Sequence, residues 1–339
     1  MTARARLGRR EWIHVFTRTG HSIIRNRAID AAAALTFFAA LSLFPASLSI
    51  ISAFALGGGD SGAVLFIQDL VAEVANGSAV DTLRAPLEEL TSIHNPGLAL
   101  ALGLWLALWT GSAYATAFGR ATNALYAVQE GRRIWKFRGL MFIVAAVLIA
   151  GLAAAVLLLA GTPRVASGTA EVLGFGEPWV TLWLIARWPL LFALACALIA
   201  VLFYWTPAVR RQNVPLFSVG AVIALLGWAV GTAGFLLYVT RLAHYGEVYG
   251  WLGGALVMLL WLYLSNFALI LGGTVDAELV RVRQLLDGLP SEEVIKVPMR
   301  DTSRNLVIAR SLAADEAEGR RIRERADQTR HDAAKHLAP

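Results

Sequence analysis

Cysteine is almost missing from this chain, and charge is scarce. The one cysteine, Cys196, lies inside an apolar run, so an intramolecular disulfide and a multi-thiolate metal site are both excluded and Cys196 reads as a small packed hydrophobe. Charged residues are 16% of the 339 positions and hydrophobic ones 57%, at a mean hydropathy of +0.59. Such a balance excludes a water-soluble globular fold and is that of an integral membrane protein. The six histidines, His14, His21, His94, His244, His331 and His336, are scattered, with no pair at ligand spacing on a shared span and no Gly-rich phosphate loop to accompany them. A metal-dependent nuclease needs converging carboxylates or histidines beside a phosphate-binding surface. Those parts are lacking, as is a histidine close to the serines around Pro45 for a serine hydrolase. The reading is therefore no enzyme, no metal and no cofactor.

What is present is long apolar runs. Asp30 to Ile51 is long enough to cross a bilayer, yet carries an aspartate at its mouth and Pro45 near its middle. Proline donates no N–H and its ring crowds the carbonyl four residues back, here that of Leu41, so a bend is predicted, with Ser42, Ser47, Ser49 and Ser52 near enough to satisfy freed backbone oxygens. Further spans are predicted at about 96–118, 140–160, 181–205, 215–239 and 249–273. Gly227 with Gly231, and Gly250 with Gly254, form small-xxx-small pairs suited to close helix approach.

The fold class is thus all-α, a polytopic membrane protein with six transmembrane helices. Residues 1–29 read as a basic amphipathic helix on the inner surface, 30–273 as the membrane domain, and 274–339, with 12 basic and 12 acidic residues, as a charged, flexible tail. Within the membrane domain, 57–96 reads as an outer amphipathic connection, acidic apart from Arg84. Charge placement sets the orientation. Of the 30 Lys and Arg, only Arg84, Arg164, Arg187 and Arg241 fall on outer connections or outer span ends, so both termini are expected in the cytoplasm. The net charge of +6 is read the same way, as orientation and contact with anionic lipid rather than with nucleic acid. Arg187 reads as snorkelling toward headgroups.

Polar residues cluster at the inner ends of the first two spans. Asp30 and Arg120 are candidates for an ion pair, and Arg120, Asn123, Tyr126 and Glu130 share one helix face at spacings of 3, 3 and 4. That stripe serves either a cavity or an elbow fastening the cytoplasmic connection.

Four stretches resemble the YihY/BrkB family of inner-membrane proteins, formerly labelled ribonuclease BN: AAAALTFFAALSLFP at 31–45, the R-x-x-N-x-x-Y-x-x-x-E pattern from Arg120 to Glu130, YWTP at 204–207, and YG followed by LLWLYLSNFALILGG between 249 and 273. The resemblance covers roughly 10–285. Where the family shows G-A-E-L-N after the last span, this chain reads Gly272, Gly273, Thr274, Val275 and Asp276, leaving the carboxylate's place to Asp276 or Glu278. The resemblance implies a six-helix protein of the bacterial inner membrane linked to envelope integrity, for which the ribonuclease label is a misassignment.

Together these readings give an envelope protein that transports or organises an amphipathic molecule such as a lipid, with a non-transporting scaffold as the alternative. The candidate cavity residues are Asp30, Ser42, Pro45, Ser49, Arg120, Asn123, Tyr126, Glu130, Tyr204, Pro207, Tyr249 and Gly250. Membrane lipids are the expected partners, with anionic lipid at the basic inner surface; the oligomeric state is left open.

Overall fold

A computed structural model describes residues 7–56, 95–160, 177–210, 218–241 and 251–337. Eight helices are seen among them: α1 (Arg9–Arg25), α2 (Ala28–Leu56), α3 (Pro96–Leu125), α4 (Ile134–Ala160), α5 (Glu177–Trp205), α6 (Val219–Arg241), α7 (Trp251–Leu286) and α8 (Ser303–Leu337). Six of them, α2 to α7, are long and apolar enough to cross a membrane. The expected outer connection lies outside the described residues from 57 to 94, as do Tyr249 and Gly250.

Two of the membrane helices carry plain start signals. Asn95 accepts the Leu98 N–H at 3.4 Å with Pro96 at the first helical position, a start signal for α3. Ser218 does the same for α6 by accepting the Ala221 N–H at 3.0 Å. Pro45 sits inside α2, which runs on through it. The hydroxyls of Ser42, Ser47 and Ser49 donate to the carbonyls of Ala39, Phe44 and Pro45, each three or four residues back, so the serines satisfy their own turns and not the Leu41 carbonyl that proline leaves open.

The six membrane helices close into a ring in chain order, α7 returning to α2, with α2 on α3 and α6 on α7 as the most extensive contacts. Large exposed side chains such as Leu157, Leu182 and Val230 face outward, as a lipid environment requires. The small-xxx-small expectation is redirected. A Cβ on Gly227 would stand at ordinary contact distance, 3.6 Å, from Ala268 of α7, and one on Gly231 or Gly254 would meet nothing within 4 Å among the described residues, whereas one on Gly220 would strike the Gly272 carbonyl oxygen and one on Gly272 the Gly220 carbonyl oxygen. The close crossing of α6 and α7 is therefore at Gly220 and Gly272, where the Asp276 carboxylate also accepts the Gly220 N–H at 2.8 Å, a negative group at a helix N-terminus.

The predicted boundary at 273 falls inside α7, which continues to Leu286, and residues 272–279 are all buried. Val275, Leu279 and Val282 pack with Val15 of α1, so α1 lays its apolar face on the extension of α7. The segment beyond α7 turns back on the bundle: Arg210 N–H donates to the Pro298 carbonyl at 2.7 Å, Arg300 N–H to that of Ala208 at 2.8 Å, and Arg304 N–H to that of Gly131 at 3.0 Å. A tail starting at 274 is thus replaced by a built segment up to α8, whose start is capped by the Asp301 carboxylate accepting the Ser303 N–H at 2.9 Å and hydroxyl at 2.7 Å. Those two bonds hold the Asp301 carboxyl below its ordinary range. The α1 and α8 ends of the chain lie at one face of the ring, called the α1 face below.

Gly220→Ala and Gly272→Ala are expected to cost roughly 1–3 kcal/mol through overpacking at the α6–α7 crossing, while Gly231→Ala and Gly254→Ala leave stability unchanged. Thermal aggregation midpoints of the purified variants check this.

Candidate functional site

Two sequence motifs meet at the α1 face. After α3 ends at Leu125, Ala127 takes a left-handed conformation (φ 52°) that turns the chain so that Glu130 comes back beneath Asn123. Asn123 Nδ2 donates to Glu130 Oε2 at 3.1 Å, and its Oδ1 accepts the Ala208 N–H at 2.7 Å. Arg132, 5% exposed, grips Glu130 through Nε at 2.7 Å and NH2 at 2.8 Å. The same guanidinium donates to the Thr206 carbonyl at 2.6 Å and that of Trp205 at 3.4 Å. Those carbonyls stand at the end of α5, where no helical N–H follows to take them. Burial alone would raise the Glu130 carboxyl, but its bonds from Arg132 and Asn123 outweigh that and hold it below the ordinary range. The stripe at 123–130 and the YWTP stretch are thus the two halves of one joint. Arg300 completes it, stacking over the Tyr204 ring at 4.7 Å and donating to the carbonyls of Tyr204 and Val209.

The other predicted residues fall in several places. Tyr126 is buried in an apolar cluster with Val209, Ala277 and Ile295, and Pro207 is fully buried. Asp30 and Arg120 are both exposed, and among the described residues no ion pair joins them. Arg187, expected to snorkel, is instead 8% exposed within α5, its guanidinium 5.2 Å from the Trp188 ring centroid. Pro45 and Ser49 form the surface on which Gly103 of α3 rests: a Cβ there would stand 2.6 Å from the Ser49 hydroxyl and 3.1 Å from the Pro45 carbonyl. This lets α2 and α3 approach closely at the proline.

A second polar group gathers around Glu278, one of the two carboxylates the sequence offered for the family pattern. Glu278, fully buried, accepts from Arg281 Nε at 2.9 Å and from Arg18 Nε of α1 at 3.3 Å through Oε2, and Arg281 also donates to the Ser291 carbonyl at 2.7 Å. Glu278 Oε1 is buried without a hydrogen-bond partner among the described residues. Of the two carboxylates left as candidates for the family pattern's missing glutamate, Glu278 is the one held by arginines, while Asp276 accepts the Gly220 N–H.

Deeper in the ring, Tyr114 of α3 donates to Asn266 Oδ1 at 2.8 Å, and Asn266 of α7 donates to the Thr36 hydroxyl of α2 at 3.3 Å. The signal for this tie was a lone asparagine in the apolar WLYLSN stretch. Beside it lies a cavity of about 460 Å³ lined by residues from all six membrane helices, among them Ser42 of α2, Tyr114, Ala145 of α4, Leu198 of α5, Trp228 of α6 and Ser265 of α7. Among the described residues, no charged one lines it. Among the described residues, no three or more His, Cys, Asp or Glu converge as a metal site would require.

Two outcomes are expected of the polar groups. Glu278→Ala leaves Arg281 buried and unpaired and should lose about 3–5 kcal/mol of stability, whereas the double variant Glu278→Leu with Arg281→Met should lose markedly less, as a denaturation series will show. Because the folded Glu130 carboxyl is held low, its contribution is present above the ordinary carboxylate range and is lost as pH falls through the lowered value; Glu130→Gln should flatten that acid limb of the stability profile.

The ribonuclease-like protein YfkH of Bacillus subtilis (strain 168) is 27% identical over 258 residues, which cover 76% of this chain and 92% of YfkH. A UPF0761 membrane protein of Laribacter hongkongensis (strain HLHK9) is 27% identical over 269 residues, 76% of this chain and 58% of the relative. One from Histophilus somni (strain 129Pt) is 31% identical over 105 residues, 31% of this chain and 36% of the relative. This chain thus matches less than two thirds of either UPF0761 protein. No solved structure matches it. A family model described as Virulence factor BrkB matches residues 21–293, from within α1 to past the end of α7, and the chain belongs to that family of membrane proteins.

Proposed function

We propose that this is a non-enzymatic envelope protein of the bacterial inner membrane that moves or organises an amphipathic molecule, a lipid above all, with both termini in the cytoplasm. The observation that carries the reading is the central cavity, large enough for a small ligand and walled by every membrane helix. The orientation is supported by the concentration of Lys and Arg at the α1 face. There α1 exposes Arg9, Arg10 and Arg25 beside Ile13, Phe16 and Ile24, a composition suited to an anionic leaflet surface. A second reading, a scaffold that recruits envelope partners, is favoured by α8, a 35-residue helix exposed along most of its described length.

Two experiments separate them. In vesicles of phosphatidylethanolamine and phosphatidylglycerol, the reconstituted protein is expected to raise the rate at which a fluorescent lipid of the inner leaflet becomes accessible to an external quencher at least fivefold over empty vesicles. A rate equal to that of empty vesicles overturns lipid movement. If, in addition, a chain ending at residue 302 fails to restore envelope resistance to cells lacking the gene, the scaffold reading stands instead.

A further inference from the structure

We propose that the central cavity is a binding site for one acyl chain of a membrane lipid, taken in sideways between α5 and α6, with the headgroup staying outside. This deepens the lipid reading above and rests on it for the choice of lipid as ligand.

The chemistry of the wall decides which part of a lipid it takes. A phosphate or amine headgroup needs charge-assisted partners, and among the described residues the wall has no charged one. Its three hydroxyls are all engaged within the protein: Ser42 donates to the Ala39 carbonyl at 2.7 Å, Ser265 to the Trp261 carbonyl at 2.8 Å, and Tyr114 to Asn266 at 2.8 Å. Among the described wall residues, Trp228 supplies the remaining side-chain donor, a single neutral N–H. What is left to a ligand is the methyl and methylene surface of residues such as Ala39, Leu148, Ile199 and Leu225. Hydrocarbon matches that surface, and a desolvated headgroup would meet it with its polar atoms unsatisfied.

The way in follows from the ring. At the α1 face the cavity is closed, because one residue beyond its wall residue Leu202 the Phe203 ring stacks on Phe118 at 5.9 Å, and beyond that Arg132 clamps the end of α5. Of the six neighbouring pairs in the ring, α5 and α6 touch least. Both flank the cavity there, α5 with Ala195 and Leu198, α6 with Leu225 and a part-exposed Trp228. A chain lying in the bilayer meets that seam from the side, so its headgroup need not cross the protein interior.

The test uses the full-length protein in bilayer nanodiscs with a phospholipid carrying a diazirine on one acyl chain. Photolysis is expected to label Leu198, Leu225 and Trp228 at least fivefold above the lipid-facing Leu157 and Val230, saturably, with excess unlabelled lipid competing and soluble glycerol phosphate having no effect. Exchanging choline, ethanolamine and glycerol headgroups should change the labelling less than twofold. Ala39→Phe and Ala195→Phe, which fill the cavity, should each reduce it at least fivefold, and Ser42→Ala should leave it intact. Labelling no greater than at Leu157 and Val230, or not saturable, overturns the chain site. Competition by glycerol phosphate overturns it in favour of a headgroup site. Saturable labelling without lipid movement in vesicles refutes the transport reading alone, and lipid movement with an unlabelled cavity refutes this inference alone.

Discussion

Arg132 stands where several chain segments have to end together. A helix that leaves the membrane has carbonyls in its last turn with no helical donor, and those at the end of α5 are taken by one guanidinium. Arg132 can be buried for this purpose because Glu130 supplies two carboxylate oxygens to it, and Glu130 is in turn placed by Asn123. Asn123 reaches across to Ala208 and so ties α3 to the chain leaving α5. With the end of α5 fixed, the 208–210 stretch becomes a template for the 298–300 segment, which brings Arg300 over Tyr204 and starts α8 next to Gly131. The half of the α1 face that joins α3, α5 and the start of α8 is assembled around this one charge and the carbonyls it collects.

The membrane interior is held by the opposite kind of interaction. Between α6 and α7 and between α2 and α3 it is the absence of a side chain, at Gly220, Gly272 and Gly103, that brings backbones together. Elsewhere in the ring small side chains have the reverse effect, since Ala39, Ala107, Ala145 and Ala195 face a common space that none of them fills. The Tyr114, Asn266 and Thr36 tie crosses the ring beside that space and keeps α2, α3 and α7 at a set separation. Close crossings on one side and an open middle are therefore two outcomes of the same residue choice.

The fold class was legible because runs of twenty or more apolar residues have few alternatives. Helix ends were less so. Asp276, Glu278 and Arg281 read as the start of a solvated tail, since a linear scan treats charge as exposed, whereas here the three are 5%, 0% and 2% exposed. In the joint, the spacing of Asn123, Tyr126 and Glu130 was visible, but Arg132 was hidden among basic residues that serve orientation, and its backbone partners leave no trace in residue identity. Of the residues read as cavity candidates, Ser42 is among the lining residues, whereas Pro45 and Ser49 meet Gly103 of α3 instead. The cavity itself could not be read, because empty volume arises from small residues on six separate segments and has no motif of its own.

Glu278 and the cavity lie on one helix. At 1.5 Å per residue the 36 residues of α7 are about 54 Å long, against a hydrocarbon layer of about 30 Å, so a good part of this rod stands outside the bilayer. Its membrane part carries Ser265 and Leu269 into the cavity wall, and its outer part carries Glu278, to which Arg18 of α1 is bound. A helix without a break ties its two ends together: the rod that walls the cavity at Ser265 and Leu269 is the same one that fixes the place of α1 through Glu278 and Arg18.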